Sequence, residues 1–240
     1  MDNSTNIVLS RLTAEERAMD VVATNIANAS TPGFRGQRMM FSDWLVRAGN
    51  GETLSFAQDR ATYRDNAPGP LSHTGNPLDL ALGSDGYFSV TTPHGSRLTR
   101  AGHFELDATG NLVDEQGNGL QDSSGQNIHL TPADTVLTVA GDGTLSSENG
   151  RIARIGVVKP QDPLLMQAEG GRLFNSSSPT EQIATPKIIQ GAIENSNVQP
   201  ALELTRMMNQ LREFEFNSQF LQGEAERQQG AIDKITQKRN

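Results

Sequence analysis

The 240-residue chain contains no cysteine. That excludes a disulfide framework and any thiolate-ligated metal site. It has one tryptophan and two tyrosines. No apolar run approaches the roughly 20 residues a membrane-spanning helix needs. The opening "MDNSTNIVLSRLTAEERAMD" carries Asp2, Glu15 and Glu16 and lacks a basic start followed by a continuous apolar stretch, so it does not read as a secretory signal. Positive charge is also scarce: 20 Lys and Arg stand against 28 Asp and Glu, a formal net charge of -8. Residues 76–195 hold fourteen of those acids and only seven bases, so the acidity is concentrated mid-chain. No basic face is available to neutralise phosphates, which argues against a nucleic-acid partner.

Familiar chemical motifs are missing as well. His73, His94, His103 and His129 show no three- or four-residue spacing of the kind helical metal ligands use. "GDGTLS" (141–146) and "GNGLQD" (117–122) begin like phosphate loops but lack the continuation and the following Lys-Ser/Thr helix, so they read as hairpin turns. "DATGNLVDE" (107–115) has the acids of a calcium loop without its ligand order or closing glutamate. There is no G-x-S-x-G. Most carboxylates sit beside turn glycines, where capping explains them. The reading is of a protein that is not an enzyme, with no catalytic residues, cofactor, metal or small-molecule substrate.

Periodicity is present at both ends. Val8, Leu12, Met19, Val22 and Ile26 form a heptad-like stripe, with Glu15 as a charged interruption. Near the other end Leu204, Met207, Leu211, Phe214, Ser218, Leu221, Ala225, Gln228, Ile232 and Ile235 alternate steps of three and four. Pro200 suits a helical first turn. Gly223 and Gly230 weaken the helix without breaking its period. A helix over about 200–235 spans roughly 54 Å. A compact globule of this length is about 45 Å across. The expectation is a projecting helix whose apolar seam pairs with the first helix and with other subunits.

The first helix meets a hard stop at "NIANASTPGF" (25–34). Pro32 lacks a donor and biases Thr31 away from the helical region. Gly33 permits a turn other residues resist. Asn25 and Asn28 offer side chains to freed backbone groups. Phe34 supplies an apolar anchor for the exit, expected against a neighbour.

Between the ends, "GYFSVTT" (86–92), "SRLTRAGHFEL" (96–106), "TVLTVAG" (135–141) and "IARIGVV" (152–158) alternate or are β-branched, and glycine- or asparagine-bearing turns separate them. The expected fold class is α+β. A discontinuous, coiled-coil-like helical layer, made from residues 1–30 and 191–240, flanks a small antiparallel β domain at 76–190. Residues 31–75 form a connector with extended segments.

Three blocks resemble one family. "ANASTPGF" (27–34), within "MDVVATNIANASTPGFRGQ" (19–37), resembles the N-terminal signature of the flagellar axial proteins, the rod and hook proteins and their relatives. "GNPLDLALGSDGYFSV" (75–90) with "LTRAGHFELDATGNLV" (98–113) is similar to the β domain those proteins share. "IENSNVQPALELTRMMNQLREFEFN" (193–217) resembles their C-terminal helix. Chain size and "GTLS" (143–146) point to the proximal rod branch. Two departures stand out: "SRL" (10–12) where glycine-leucine is commoner, and Phe214 where tyrosine is frequent.

The resemblance implies a structural subunit of the basal-body rod. Such a subunit leaves the cell through the flagellar type III export apparatus, without membrane insertion, and polymerises in the periplasm. Its partners are other rod proteins and further copies of itself, and the shaft they build transmits torque. The competing reading is a soluble β-domain binding module whose helices form a homo-oligomeric coiled coil.

Overall fold

The computed structural model describes residues 3–47 and 53–237. The chain divides into two compact units, one from residues 1–27, 36–65 and 199–240, the other from residues 28–35 and 66–198.

The first unit is built on two long helices, α1 (Asn3–Ala27) and α2 (Pro200–Gln237), and a hairpin of β1 (Gln37–Arg47) and β2 (Thr53–Arg64). α1 packs against α2 and against both strands. Small residues make close approach possible: Ala14, Ala18 and Val22 form the buried apolar stripe of α1. Pro200 opens α2 as expected of a residue whose missing N–H costs nothing there, and the Leu202 and Glu203 amides donate to the Gln199 carbonyl. At 38 residues α2 is roughly 57 Å long.

The hairpin lies in the stretch read as a connector. Its strands run antiparallel from Gln37–Arg64 to Arg47–Thr53, with one register shift between Met40 and Phe41. Gly36 accepts a hydrogen bond from the Asp65 amide and so closes the open end.

The second unit is antiparallel β. Its largest sheet runs in the order Met166–Glu169, Leu173–Ser176, Gly95–Thr99, Tyr87–Thr92, Gly119–Leu120, Leu112–Asp114 and Phe104–Leu106. Val157–Pro160 joins from the side, pairing with Tyr87–Thr92 and Thr180–Gln182. Thr138–Val139, Thr144–Ser147 and Gly150–Arg154 form a separate meander. Two short pairs, Leu80–Leu82 with Ile188–Gln190 and Leu71–His73 with Ala192–Glu194, tie distant segments together. The core gathers Leu80, Phe88, Val90, Phe104, Leu112, Leu120, Ile128, Leu145 and Ile155. Phe88 and Phe104 meet edge to face at 5.6 Å.

The acids of this unit have a structural use. Asp107, Asp114 and Asp122 each open a five-residue turn whose fourth member is a glycine at positive φ: Gly110, Gly117 and Gly125. In every case Oδ1 accepts the amides two and four residues on, at 2.7–2.9 Å. The D-x-x-G-N/Q repeat is therefore a hairpin device. Among the described residues no group of three or more His, Asp or Glu is placed to hold a metal ion.

Candidate assembly surface

The helical stop uses its asparagine in an unanticipated way. Asn25 is buried. Its carboxamide donates to the Gln37 carbonyl at 2.9 Å and accepts from the Gln37 amide at 2.7 Å. Its second N–H reaches Glu203 Oε2 at 3.3 Å. One side chain thus copies a β-bridge to the first residue of β1 and bonds the first turn of α2.

Glu203 is the carboxylate at the centre of this unit, 2% exposed. Oε1 accepts from Arg38 at 2.9 Å and from Arg206, while Oε2 receives Asn25. A buried carboxylate is tolerated because several donors surround it. Further along, Glu15 is also buried, and its Oε1 takes the Asn217 amide at 2.7 Å and pairs with Arg11 at 3.4 Å. The charged interruption in the first stripe is therefore an internal polar contact between α1 and α2.

The remainder of the exit motif lies in the second unit. The Thr31 amide bonds the Asn28 carbonyl, and the Phe34 amide bonds that of Thr31. Gly33 has φ +71 and donates its amide to the Glu194 carbonyl at 2.7 Å. A Cβ there would lie 2.4 Å from the backbone of Arg100 and Ala101. Only glycine fits this approach. Pro32 is half-buried in the same turn. Phe34, expected to anchor against a neighbour, is buried in its own chain, and its carbonyl accepts from the Asn197 amide at 3.4 Å.

The seam positions divide. On α1, Val22 is buried, and Val8, Leu12, Met19 and Ile26 are half-buried. On α2, Met207, Phe214 and Leu221 are half-buried. They share a face with buried Glu203 and Asn217 at spacings of three and four. By contrast Leu204, Leu211 and Ile232 stand 50%, 43% and 54% exposed. The side chain of Ile235 lies outside the described residues. Exposed apolar side chains absent from the seam join them: Leu9 on α1, and Leu202, Met208, Phe216 and Phe220 on α2, with Phe216 the most open at 71%. On the hairpin Met40 and Phe41 are exposed too. One face of α2 is occupied within the unit, and its flanks carry large uncovered hydrophobic groups.

Two terminal helices are joined through a polar lock, with a β body inserted between them in sequence, the arrangement of a subunit built on its chain ends. Three family models match in order: "Flagella basal body rod protein" over residues 6–35, "Flagellar hook protein FlgE/F/G D1 domain" over 81–147, and "Flagellar basal body rod FlgEFG protein C-terminal" over 189–233. The chain belongs to the flagellar basal-body rod protein family. Its full-length relatives place it on the FlgF-like side of that family. It is 32% identical to the FlgF rod protein of Caulobacter vibrioides, with 98% of each chain covered. To FlgF of Mesorhizobium japonicum it is 33% identical, covering 99% of this chain and 100% of the relative. FlgF of Escherichia coli is 31% identical, over 81% of this chain and 83% of its own. The family is structural and not enzymatic, and its seat is the flagellar basal body.

Proposed function

We propose that this rod subunit is held in the shaft by contacts its own fold leaves open on the helical unit. The observation that carries the reading is the set Leu204, Met208, Leu211, Phe216 and Phe220, exposed on a helix whose other face is already packed. Monomeric surfaces rarely leave this many large apolar groups open along one element. The partners are other rod proteins and further copies of this chain. They meet in a heterologous contact that repeats along the shaft and so carries torque. The half-buried members of the seam, Val8, Leu12, Met19, Ile26, Met207, Phe214 and Leu221, keep the two helices together while the open ones bind outward.

The same reading includes delivery. The subunit passes the flagellar type III export apparatus with its helical ends unfolded and orders them on assembly in the periplasm. Amide exchange of the isolated subunit tests this step: fast exchange over residues 1–30 and 200–240 is expected, and full protection there would contradict it.

The test of the surface is the pair Phe216→Ser and Phe220→Ser in one chain. Both side chains are exposed, so the melting temperature should hold within about 0.5 kcal/mol of stability. Secretion should be normal and rod assembly lost. Normal rods built from this variant would refute the assignment of the surface.

A further inference from the structure

We propose that the β body carries a binding site for one small oxyanion, a phosphate or carboxylate group, between Arg35 and Arg100. Two cavities, of about 290 and 150 Å³, share Arg35, Arg100 and Asp85 in their walls. Both guanidinium groups are buried, their side chains 4% and 2% exposed. Buried cations need matching anions, and here two of them share one carboxylate. Glu194 Oε1 accepts from Arg35 at 3.4 Å and from the Gly69 amide at 3.1 Å, while Oε2 accepts from Arg100 at 3.0 Å.

The remaining internal bonds are to neutral carbonyls. Arg35 reaches the Asn66 carbonyl at 2.6 Å, and Arg100 the Ser84 carbonyl at 3.1 Å. Arg100 also lies over the Tyr87 ring at 5.3 Å. That leaves the Nε–H of each arginine buried and without an acceptor among the described residues. The Nη groups of both arginines are engaged, so each Nε–H is the donor left for an oxyanion.

Charge around the cavities favours the same ligand. Lys159 lines the smaller one with its ammonium in solvent, paired at 3.5 Å with the exposed Asp85. Arg35, Arg100 and Lys159 outnumber Glu194 and Asp85 by one. Burial, and then repulsion from Arg35, push the Arg100 pKa below its ordinary value. An oxyanion between the two would relieve both effects. The site stands on the β body alone and is independent of the assembly reading.

The probes are inorganic phosphate and acetate, each titrated into the full chain against chloride at matched ionic strength. Melting temperature and the arginine Nε–H resonances of a ¹⁵N-labelled sample are the readouts. Phosphate at tenfold its Kd should raise the melting temperature by roughly 3–5 °C and shift two Nε–H signals. Lys159→Gln should weaken binding about two- to fivefold, and Asp85→Asn, which frees Lys159, should tighten it by a similar factor. Both replaced side chains are exposed, so the fold survives. Acetate acting like phosphate assigns the site to a carboxylate, such as one offered by a neighbouring chain. Phosphate acting alone assigns it to the free anion. A response equal to that of chloride, or one unaltered by both substitutions, overturns the proposal.

Discussion

Asn25 and Gln37 are joined by two hydrogen bonds, of 2.9 and 2.7 Å, between one carboxamide and the backbone N–H and C=O of one residue. The pair closes the gap between the end of α1 and the start of β1, and the same carboxamide touches Glu203. Asparagine is the residue that fits. It must accept at one atom and donate twice at the other, in a buried place. Asn25→Ala should destabilise the helical unit by about 1–3 kcal/mol, because the Gln37 amide and carbonyl lose their partner. Asn25→Asp should be worse. Aspartate still accepts from Gln37, but it cannot donate and it faces the Glu203 carboxylate. Dissociation in urea of rods assembled from the two variants gives the order; Asp-variant rods as stable as wild-type rods would reject the lock.

Gly33 makes a prediction about the β body. Its φ of +71 and a 2.4 Å approach to the Arg100–Ala101 peptide oppose any side chain. Strain from positive φ alone is about 1 kcal/mol or more, and the clash is with backbone, which yields little. Gly33→Ala should therefore lower stability by more than about 2 kcal/mol. Thermal unfolding should show it, with far-UV circular dichroism of the surviving folded state unchanged. A drop under about 0.5 kcal/mol would mean the turn relaxes freely.

Acid should act on the β body through hydrogen-bonded carboxylates. The Thr135 hydroxyl and the amides of Val136 and Thr135 hold the Glu148 carboxyl down at about 2. The Ser147 and Thr131 hydroxyls hold Asp134 well below the usual carboxylate range, and Thr109 and Asn111 do the same for Asp107. A folded-state value below the unfolded one stabilises at pH above the unfolded value. That contribution disappears as pH falls through the folded one. The melting temperature should be flat above about pH 5 and fall between about pH 4.5 and 2. The lowering at Glu148 comes from hydrogen bonds, so the acid limb should persist in about 0.5 M salt. Glu148→Gln should make it shallower, leaving the part due to Asp134 and Asp107. A limb erased by salt would point to long-range charge instead.

The stop after α1, the long α2 and the turn-punctuated β segments were legible because each is written in local chemistry. The hairpin was not. "QRMMFSDWLVR" sets Met39, Met40 and Phe41 side by side, and the register shift between Met40 and Phe41 interrupts the two-residue alternation that marks a strand. The packed face of α2 was hidden for another reason. It runs through Glu203, Met207, Gln210, Phe214, Asn217 and Leu221, and Glu203, Gln210 and Asn217 are polar positions that an apolar stripe passes over. Glu203 is buried because Arg38, 165 residues earlier, meets it, and Asn217 because Glu15, 202 residues earlier, does. No local pattern announces such a partner. The apolar periodicity therefore mixed inner positions such as Met207 with outward ones such as Leu204.

Gly223 and Gly230 give the last prediction, which links stability to delivery. Each sits inside α2 with open space where a Cβ would stand, and neither has positive φ. Glycine in a helix interior is less favourable than alanine by about 0.5–1 kcal/mol. The double change Gly223→Ala and Gly230→Ala should therefore raise helicity and stabilise the helical unit by about 1–2 kcal/mol. No contact is lost, so rods should still form from supplied subunits. If the helical ends cross the export channel unfolded, a more stable helix should slow secretion. Secretion at the wild-type rate, alongside a measured rise in stability, would show that unfolding α2 does not limit export.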